Sequence, residues 1–390
     1  MLDSVKLDVT AKTPRTPGPA KTLLGASSRL GALAVVFMVA TLPSAALALT
    51  ADEARLLEQV REVANAPIED FTPLGEGDGR DGGYRYQLAF LGYGLCSVVD
   101  AEPALHDEGR RLLGRLVEKM EHPTTIAYWR ALGYGADGLA AKNVMYRGHL
   151  NLLYALAHDR FAETRFDEKF HALSRALAGE MGPQPICCEP DQLFIQCNAV
   201  TALSLYLHDR AFGTRYGDAG KRLLAWAREH MPLEGTSLVR EDYHPSTGKS
   251  SARRSAYANA WVISFLAAVP DVDGEARTMY ADWKRLFVDD AKVVAVAEGA
   301  PPEENLSAEE LATSSLLATT FGALAAQEMG DRPLHRKLVR TRSLLDRVAE
   351  LAAPSLPPAR KAQARTWRTL ALFARTFRGW RAILKTPAEF

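Results

Sequence analysis

Residues 193–208 read Leu-Phe-Ile-Gln-Cys-Asn-Ala-Val-Thr-Ala-Leu-Ser-Leu-Tyr-Leu-His and carry apolar side chains on nearly every side of a helix. Residues 254–268 have the same character. A helix that is apolar all round belongs in the interior of a protein. Residues 104–120 instead place Leu112 and Leu116 on one face and charged side chains on the others, as in an outer helix. The sequence therefore predicts both buried and surface helices.

Helical periodicity continues through most of the chain. Apolar residues recur at i, i+3, i+4 and i+7 in about twelve runs, and no stretch shows sustained period-2 alternation. About twelve helices of two kinds, buried and surface, favour an all-α fold. The arrangement we predict is an (α/α)6 barrel, which is a toroid of about twelve helices in an inner and an outer ring. An irregular helical bundle and a solenoid remain alternatives, because periodicity does not determine how helices pack. The last run, 361–384, is predicted as one helix.

The composition is that of an ordinary globular protein without net charge. The chain has 390 residues, 47 Lys and Arg against 47 Asp and Glu, and 47% apolar residues. A chain of this length can bury a sufficient core without disulfides. Zero net charge argues against electrostatic binding of nucleic acid, and a mean hydropathy of −0.13 argues against several membrane spans. We therefore expect no nucleic-acid partner.

The N-terminal segment is typical of an export signal. Residues 1–29 contain five Lys and Arg, residues 30–49 contain no charge, and the segment closes on Ala46-Leu47-Ala48. A basic flank, an apolar run and an Ala-x-Ala ending describe a signal peptide. We predict cleavage after Ala48 and a periplasmic or exported location; the alternative is an uncleaved anchor, which would be the chain's only membrane contact. The predicted domains are thus 1–48, signal peptide or anchor, and 49–390.

The densest block of uncommon residues is 187–198, which reads Cys-Cys-Glu-Pro-Asp-Gln-Leu-Phe-Ile-Gln-Cys-Asn. It places thiols and carboxylates at the start of a predicted helix. Eight residues separate Cys188 from Cys197, whereas zinc sites favour two to four residues between paired cysteines. We therefore expect no metal. Taken by itself, the block is best explained by one buried cysteine on an apolar helix and one loop cysteine.

Two further blocks carry residues suited to chemistry. Residues 143–152 read Asn-Val-Met-Tyr-Arg-Gly-His-Leu-Asn-Leu, so that Met145 and His149 share a helix face. Histidine is suited to proton transfer near neutral pH, although a histidine among Leu and Tyr is also typical of a core. Residues 84–90 read Tyr-Arg-Tyr-Gln-Leu-Ala-Phe, and Tyr86 either packs in the core or lines a cavity.

Several motifs are absent. The chain has no Walker loop, no GxGxxG opening a βαβ unit, no HExxH and no GxSxG. Nucleotide cofactors and a serine-hydrolase mechanism therefore have no support, and we expect no cofactor.

Taken together, these blocks resemble the linalool dehydratase/isomerase family. The resemblance extends to Tyr-His-Pro-Ser-Thr-Gly (243–248), Ser-Ala-Tyr-Ala-Asn-Ala-Trp (255–261) and Glu-Met-Gly-Asp (328–331), in the same order. It implies an (α/α)6 barrel that works without a cofactor. It also implies an enzyme that removes water from an allylic alcohol or moves its hydroxyl along the allylic system.

The resemblance also implies a set of site residues. The predicted catalytic residues are Cys188, Cys197, His149, Asp70 and Tyr86. The predicted substrate contacts are Met145, Tyr243, Phe194, Trp129 and Glu189.

The leading hypothesis is a cofactor-independent lyase or isomerase that acts by acid–base catalysis on a small terpenoid-like alcohol. Its expected partners are a small hydrophobic alcohol or alkene and further copies of itself in a homo-oligomer. One alternative is a carbohydrate-active (α/α)6 enzyme, which needs paired carboxylates; Asp70, Glu189 and Asp191 are its candidates. The other is an exported binding protein without catalytic activity.

Overall fold

The computed structural model confirms an all-α protein wherever it describes the chain. The described residues are 49–67, 83–123, 125–126, 143–288, 308–352 and 358–384. The signal peptide or anchor predicted at 1–48 lies outside them, as do the predicted site residues Asp70 and Trp129. These three assignments stay predictions.

Thirteen α-helices make up most of the described residues. They are α1 (Ala51–Asn65), α2 (Gly83–Ala101), α3 (His106–Glu121), α4 (Val144–Phe161), α5 (Asp167–Glu180), α6 (Ile195–Phe212), α7 (Ala219–His230), α8 (Ala256–Leu266), α9 (Asp273–Phe287), α10 (Ala308–Glu328), α11 (Arg332–Ala352), α12 (Pro358–Thr376) and α13 (Trp380–Ile383). Strands β1 (Leu193–Phe194), β2 (Asp242–His244) and β3 (Lys249–Ser250) pair antiparallel in that order. None of these helices is long and apolar enough to cross a bilayer.

The helices follow the predicted runs, with two differences. The helix predicted over 361–384 is interrupted between α12 and α13, because Gly379 has a φ of 94° that a right-handed helix cannot include. The small sheet was not predicted. Its strands are only two or three residues long, too short to show the alternation that identifies a strand.

Six helices contact one another in a closed series. Helix α2 contacts α4, α4 contacts α6, and the series continues through α8, α10 and α12, which returns to α2. The other long helices, α1, α3, α5, α7, α9 and α11, each pack against members of this series. Nearly every side chain of α4 and α6 is buried, whereas α3 leaves Arg110 and Arg111 exposed. The predicted division into buried and surface helices is therefore confirmed.

Gly148 brings α4 and α6 close together. A Cβ atom at this position would clash with Thr201 Oγ1 and would lie 3.3 Å from the Cys197 carbonyl oxygen, a tight contact. His149 follows Gly148 directly along α4. The predicted histidine and the second predicted cysteine therefore lie on two helices that touch at this level.

A buried carboxylate anchors helix α13. Glu328, the last residue of α10, accepts a hydrogen bond from the backbone N–H of Trp380. Burial raises the pKa of Glu328 to about 7, while Arg381 acts to lower it and Asp273 to raise it. The indole of Trp380 packs edge-on against the Tyr93 ring of α2, with 5.3 Å between centroids. The Glu328 contact thus holds an aromatic side chain against the interior of the closed series.

Replacing Gly148 with alanine should destabilise the protein by about 1–3 kcal/mol, because the added methyl group overpacks the α4–α6 contact. Urea denaturation followed by circular dichroism measures this change. Gly179→Ala in α5 is the matched control: no atom lies within 4 Å of a Cβ there, and alanine favours helix by up to about 1 kcal/mol. Equal stability of the two variants would contradict the close contact.

The free energy of unfolding should depend on the protonation of Glu328. Because its pKa is raised in the folded state, the stability it contributes is fully present below about pH 4.5 and is lost as pH rises through 7. Glu328→Gln keeps an acceptor for the Trp380 N–H and cannot ionise. The variant should remove this dependence, worth up to about 3 kcal/mol at alkaline pH, in denaturation curves recorded across this range.

Glu108→Gln is the control for this experiment. The hydrogen bond from Arg61 holds the pKa of Glu108 below its ordinary value. The stability that Glu108 contributes therefore changes only at acidic pH. That variant should keep the wild-type slope between about pH 5 and pH 8. The same slope in Glu328→Gln would show that Glu328 does not titrate there.

Candidate active site

A cavity of about 180 Å³ is enclosed by the closed series of helices. All six of these helices contribute to its wall, together with the segment before α6. The lining residues described are Tyr86, Phe90, Phe194, Tyr257, Trp261, Met145, Glu189, Gln196, Leu317 and Leu370. Apolar cavities of about 150 Å³ take up benzene, and sites for drug-sized ligands measure roughly 300–1,000 Å³. The volume and the aromatic wall therefore suit a small, largely apolar molecule.

His149 is fully buried behind this wall. Its Nδ1 lies 2.8 Å from the hydroxyl oxygen of Tyr93, which fixes the orientation of the ring. Burial, and then the charge of Arg85, lower the pKa of His149 to about 3, so the imidazole is neutral near pH 7. Its Nε2 has no hydrogen-bond partner among the described residues. Depending on the tautomer, that nitrogen offers a lone pair or an N–H.

Tyr86 lines the cavity and contacts His149. Its ring meets the His149 ring edge-on, with centroids 5.4 Å apart, and the Trp261 ring at 5.7 Å. The guanidinium of Arg85 lies 4.2 Å from the centroid of the same ring and donates a hydrogen bond to Met145 Sδ. Burial raises the pKa of Tyr86 despite the opposing charge of Arg85, so the phenol stays protonated.

Two reduced thiols lie close to Tyr86. Cys188 and Cys197 are buried and form no disulfide, and both act electrostatically on the Tyr86 phenol. Burial, and then the neighbouring Cys197, raise the pKa of Cys188 well above its ordinary value. Cys188 Sγ also accepts the Phe194 N–H at 3.3 Å and donates to the Phe194 carbonyl at 3.5 Å. Cys188 therefore also stabilises the start of α6.

A tight turn places Cys188 in front of α6. The Cys188 N–H donates to the Gln192 carbonyl at 2.9 Å, and Asp191 within the turn has a φ of 54°. Aspartate tolerates this left-handed conformation better than most residues. The Asp191 carboxylate accepts the Ser246 N–H at 2.7 Å, and Gln192 Nε2 donates to Asp242 Oδ2 at 2.8 Å. The β2–β3 hairpin therefore braces the turn.

Two asparagines position the first turns of α6 and α8 in the same way. The Asn198 amide accepts the Ile186 N–H at 3.0 Å and donates to the Ile186 carbonyl at 2.9 Å. The Asn259 amide makes the same pair of bonds to Val239, at 3.0 and 2.8 Å. Gln196, two residues before Asn198, and Tyr257, two residues before Asn259, line the cavity. The same pair of asparagine-to-backbone hydrogen bonds therefore positions a lining residue at the start of each helix.

The structure brings most of the predicted site residues into one region. Tyr86, Met145, Glu189 and Phe194 line the cavity. His149, Cys188 and Cys197 are buried next to its wall. Their catalytic and binding roles are proposals, which are taken up below.

Tyr243 lies outside the described cavity wall. Its ring packs edge-on against Trp226 of α7 at 5.0 Å and against His230 at 6.1 Å, and it does not belong to the described cavity wall. Side chains alternate along a strand, and Asp242, its neighbour in β2, bonds to Gln192 of the turn. The strand therefore directs Tyr243 towards α7 rather than towards the cavity.

Among the wall residues that sequence reasoning did not select are Gln196, Tyr257 and Trp261. The Tyr257 hydroxyl donates to a Glu241 carboxylate oxygen, and burial followed by the charge of Glu241 raises the pKa of Tyr257. A signal was present, because Gln196 and Tyr257 are polar residues in the first turns of otherwise apolar helices. Polar side chains at such positions are exceptional unless a partner or a cavity receives them.

The described wall carries few of the carboxylates and metal-binding side chains that a glycosidase or a metalloenzyme would need. Glu189 is its single carboxylate, and Asp191 is bound to Ser246 instead. Paired carboxylates of a glycosidase are thus not found among the described residues. The described side chains also hold no group of three or more His, Cys, Asp or Glu arranged for a metal ion.

Comparison with protein families gives a match to the part of the chain that carries most of the cavity-lining residues. A family model described as linalool dehydratase/isomerase matches residues 85–347, more than half of the 390-residue chain. The matched region includes Tyr86, His149, Cys188 and Cys197. The family is one of hydro-lyases and isomerases. The chain therefore belongs to the linalool dehydratase/isomerase family.

Proposed function

We propose that this protein is a cofactor-independent hydro-lyase or hydroxyl isomerase that acts on a small, terpenoid-like allylic alcohol. The observation that carries the proposal is the aromatic cavity of about 180 Å³ with neutral proton donors and acceptors at its wall. Such a wall holds a hydrocarbon skeleton and stabilises positive charge. Family membership supports the class of reaction.

The fold proposed for this function is an (α/α)6 barrel. Its inner ring would be the closed series α2, α4, α6, α8, α10 and α12, and its outer ring the six long helices packed on that series. Every helix of the inner ring contributes to the cavity wall, as the centre of such a barrel requires.

Dehydration begins with proton transfer to the hydroxyl, because hydroxide is a poor leaving group. The carbon–oxygen bond then breaks, its electron pair leaves with water, and an allylic cation remains. Loss of a proton from a neighbouring carbon gives a diene, whereas return of water at the far end gives the isomeric alcohol. The rings of Tyr86, Phe90 and Trp261 line the space in which this cation forms.

Tyr86 and His149 suit the two proton-transfer roles. The raised pKa of Tyr86 keeps the phenol protonated, so it can donate to the leaving hydroxyl. The lowered pKa of His149 keeps the imidazole neutral, so it can accept a proton. Proton exchange through the released water then restores both residues, whose rings lie edge-on with centroids 5.4 Å apart. General acid and base groups each typically contribute about 10²- to 10⁴-fold.

Cys188 and Cys197 act in this proposal as neutral thiols. A nucleophilic cysteine needs a lowered pKa, whereas burial raises the pKa of Cys188. Hydrogen bonding and proton transfer by the thiols are therefore favoured over a covalent thioether. Asp70 remains a proposed catalytic residue, and Trp129 remains a proposed substrate contact.

Export and self-assembly complete the proposal. The segment 1–48 supports delivery to the periplasm or beyond, or anchoring if it stays uncleaved. An oxidising compartment favours disulfides, so activity requires that Cys188 and Cys197 stay reduced. A homo-oligomer is the proposed assembly.

Purified, reduced protein should convert tertiary allylic alcohols into dienes or isomeric alcohols without an added cofactor. Gas chromatography of incubations with a panel of such alcohols measures both products. The absence of product from every alcohol would remove the proposal. Cleavage of oligosaccharides would instead support a carbohydrate-active enzyme, and saturable binding without turnover would support an exported binding protein.

Cys188→Ser and Cys197→Ser should each lower kcat by about 100-fold or more, because a hydroxyl is a far weaker acid than a thiol. Cys96→Ser is the matched control. Cys96 is also a fully buried thiol, but it lies near Arg160 and Asp159 at the far end of α4 and should leave kcat unchanged. Circular dichroism confirms the fold of each variant. Wild-type kcat in both site variants would exclude a catalytic role of the thiols.

A further inference from the structure

The amide of Gln196 is a polar group that the fold leaves without a partner. Gln196 lines the cavity, is only 4% exposed, and its side-chain Oε1 has no hydrogen-bond partner among the described residues. Its Oε1 is completely buried. Buried side-chain amides are almost always hydrogen-bonded. An unpaired amide in a cavity wall therefore points to a ligand atom as its missing partner.

The two phenols of the wall are already engaged. The Tyr257 hydroxyl donates to Glu241, and the Arg85 guanidinium lies 4.2 Å from the centroid of the Tyr86 ring. Each phenol can still make a further hydrogen bond to a ligand, because a hydroxyl both donates and accepts. Gln196 differs in that its Oε1 is buried with no hydrogen bond among the described residues.

The position of Gln196 is held by the start of α6. Asn198, two residues further on, ties the first turn of the helix to Ile186. Tyr257 occupies the equivalent position before Asn259 in α8 and also lines the cavity. The backbone that carries the Gln196 side chain is therefore fixed, and the amide stays in the wall.

We propose that Gln196 binds the hydroxyl of the substrate and makes the cavity select an alcohol over a hydrocarbon of the same shape. This inference rests on the proposed function, because it takes the cavity to be the substrate site. A hydroxyl suits a carboxamide, since each group can both donate and accept a hydrogen bond. The amide does not titrate, so it orients the hydroxyl and supplies no proton.

The same bond distinguishes the alcohol from its dehydrated product. Dehydration removes the hydroxyl as water, so the alkene product no longer pairs with the Gln196 amide. Apolar contacts alone then hold the product, and it leaves more readily than the alcohol. Water can afterwards occupy the amide until the next alcohol binds.

Binding of two saturated probes tests this inference without turnover. In 2-methylbutan-2-ol and 2,2-dimethylbutane a hydroxyl and a methyl group occupy the same position, and neither has the double bond that activates the carbon–oxygen bond. Headspace gas chromatography over the purified protein gives the Kd of each probe. Gln196→Met replaces the amide with an apolar chain of similar length, and Gln196→Leu is a second apolar replacement. Leu317→Met alters an apolar wall residue as the matched control.

Gln196→Met should lower the preference for the alcohol, measured as the ratio of the two dissociation constants, by roughly 2- to 12-fold, the range of one net hydrogen bond. Leu317→Met should leave this ratio unchanged. The Tm of Gln196→Met should not fall, since no hydrogen bond within the protein is lost. An unchanged ratio in both Gln196 variants overturns the inference and leaves Trp261 Nε1 as the unpaired donor of the described wall. Failure of wild-type protein to bind either probe also overturns it.

The inference and the proposed function fail in different ways. If the ratio falls in Gln196→Met but no allylic alcohol is converted, the binding role stands and the reaction does not. If alcohols are converted and the ratio is unchanged, the reaction stands and the role of Gln196 does not.

Discussion

The close approach of α4 and α6 at Gly148 determines how the site is assembled. Only a residue without a side chain leaves room there for Thr201 and for the Cys197 carbonyl. The contact sets His149 of α4 beside the part of α6 that carries Cys197, and Asn198 ties the preceding loop to the same helix. A wider spacing of the two helices would separate the thiols from the histidine and open the cavity between them.

Burial keeps the titratable groups around the cavity uncharged. It raises the pKa values of Tyr86, Cys188 and Tyr257 and lowers that of His149. Neutral donors and acceptors leave the cavity compatible with an apolar substrate. In the proposed reaction the aromatic rings of the wall would stabilise a transient cation. The same desolvation explains why the buried thiol of Cys188 is a poor nucleophile.

Sequence periodicity predicted the helices because an apolar face at the helical repeat has to be buried. It could not predict the break at Gly379, which depends on one backbone angle and on the anchoring of α13 by Glu328. It placed Met145 and His149 correctly on one helix face, because i and i+4 neighbours are set by local geometry. It gave no indication that alternation in a three-residue strand turns Tyr243 towards Trp226.

The sequence by itself determined that the protein is helical, which helices are buried and which motifs belong to a dehydratase/isomerase family. These properties depend on local spacing and on side-chain polarity. Only the tertiary structure decided that Tyr86, His149 and the two cysteines lie around one cavity, and that an unpaired Gln196 belongs to its wall. Those residues lie far apart along the chain, and the distances between them depend on how closely the helices pack.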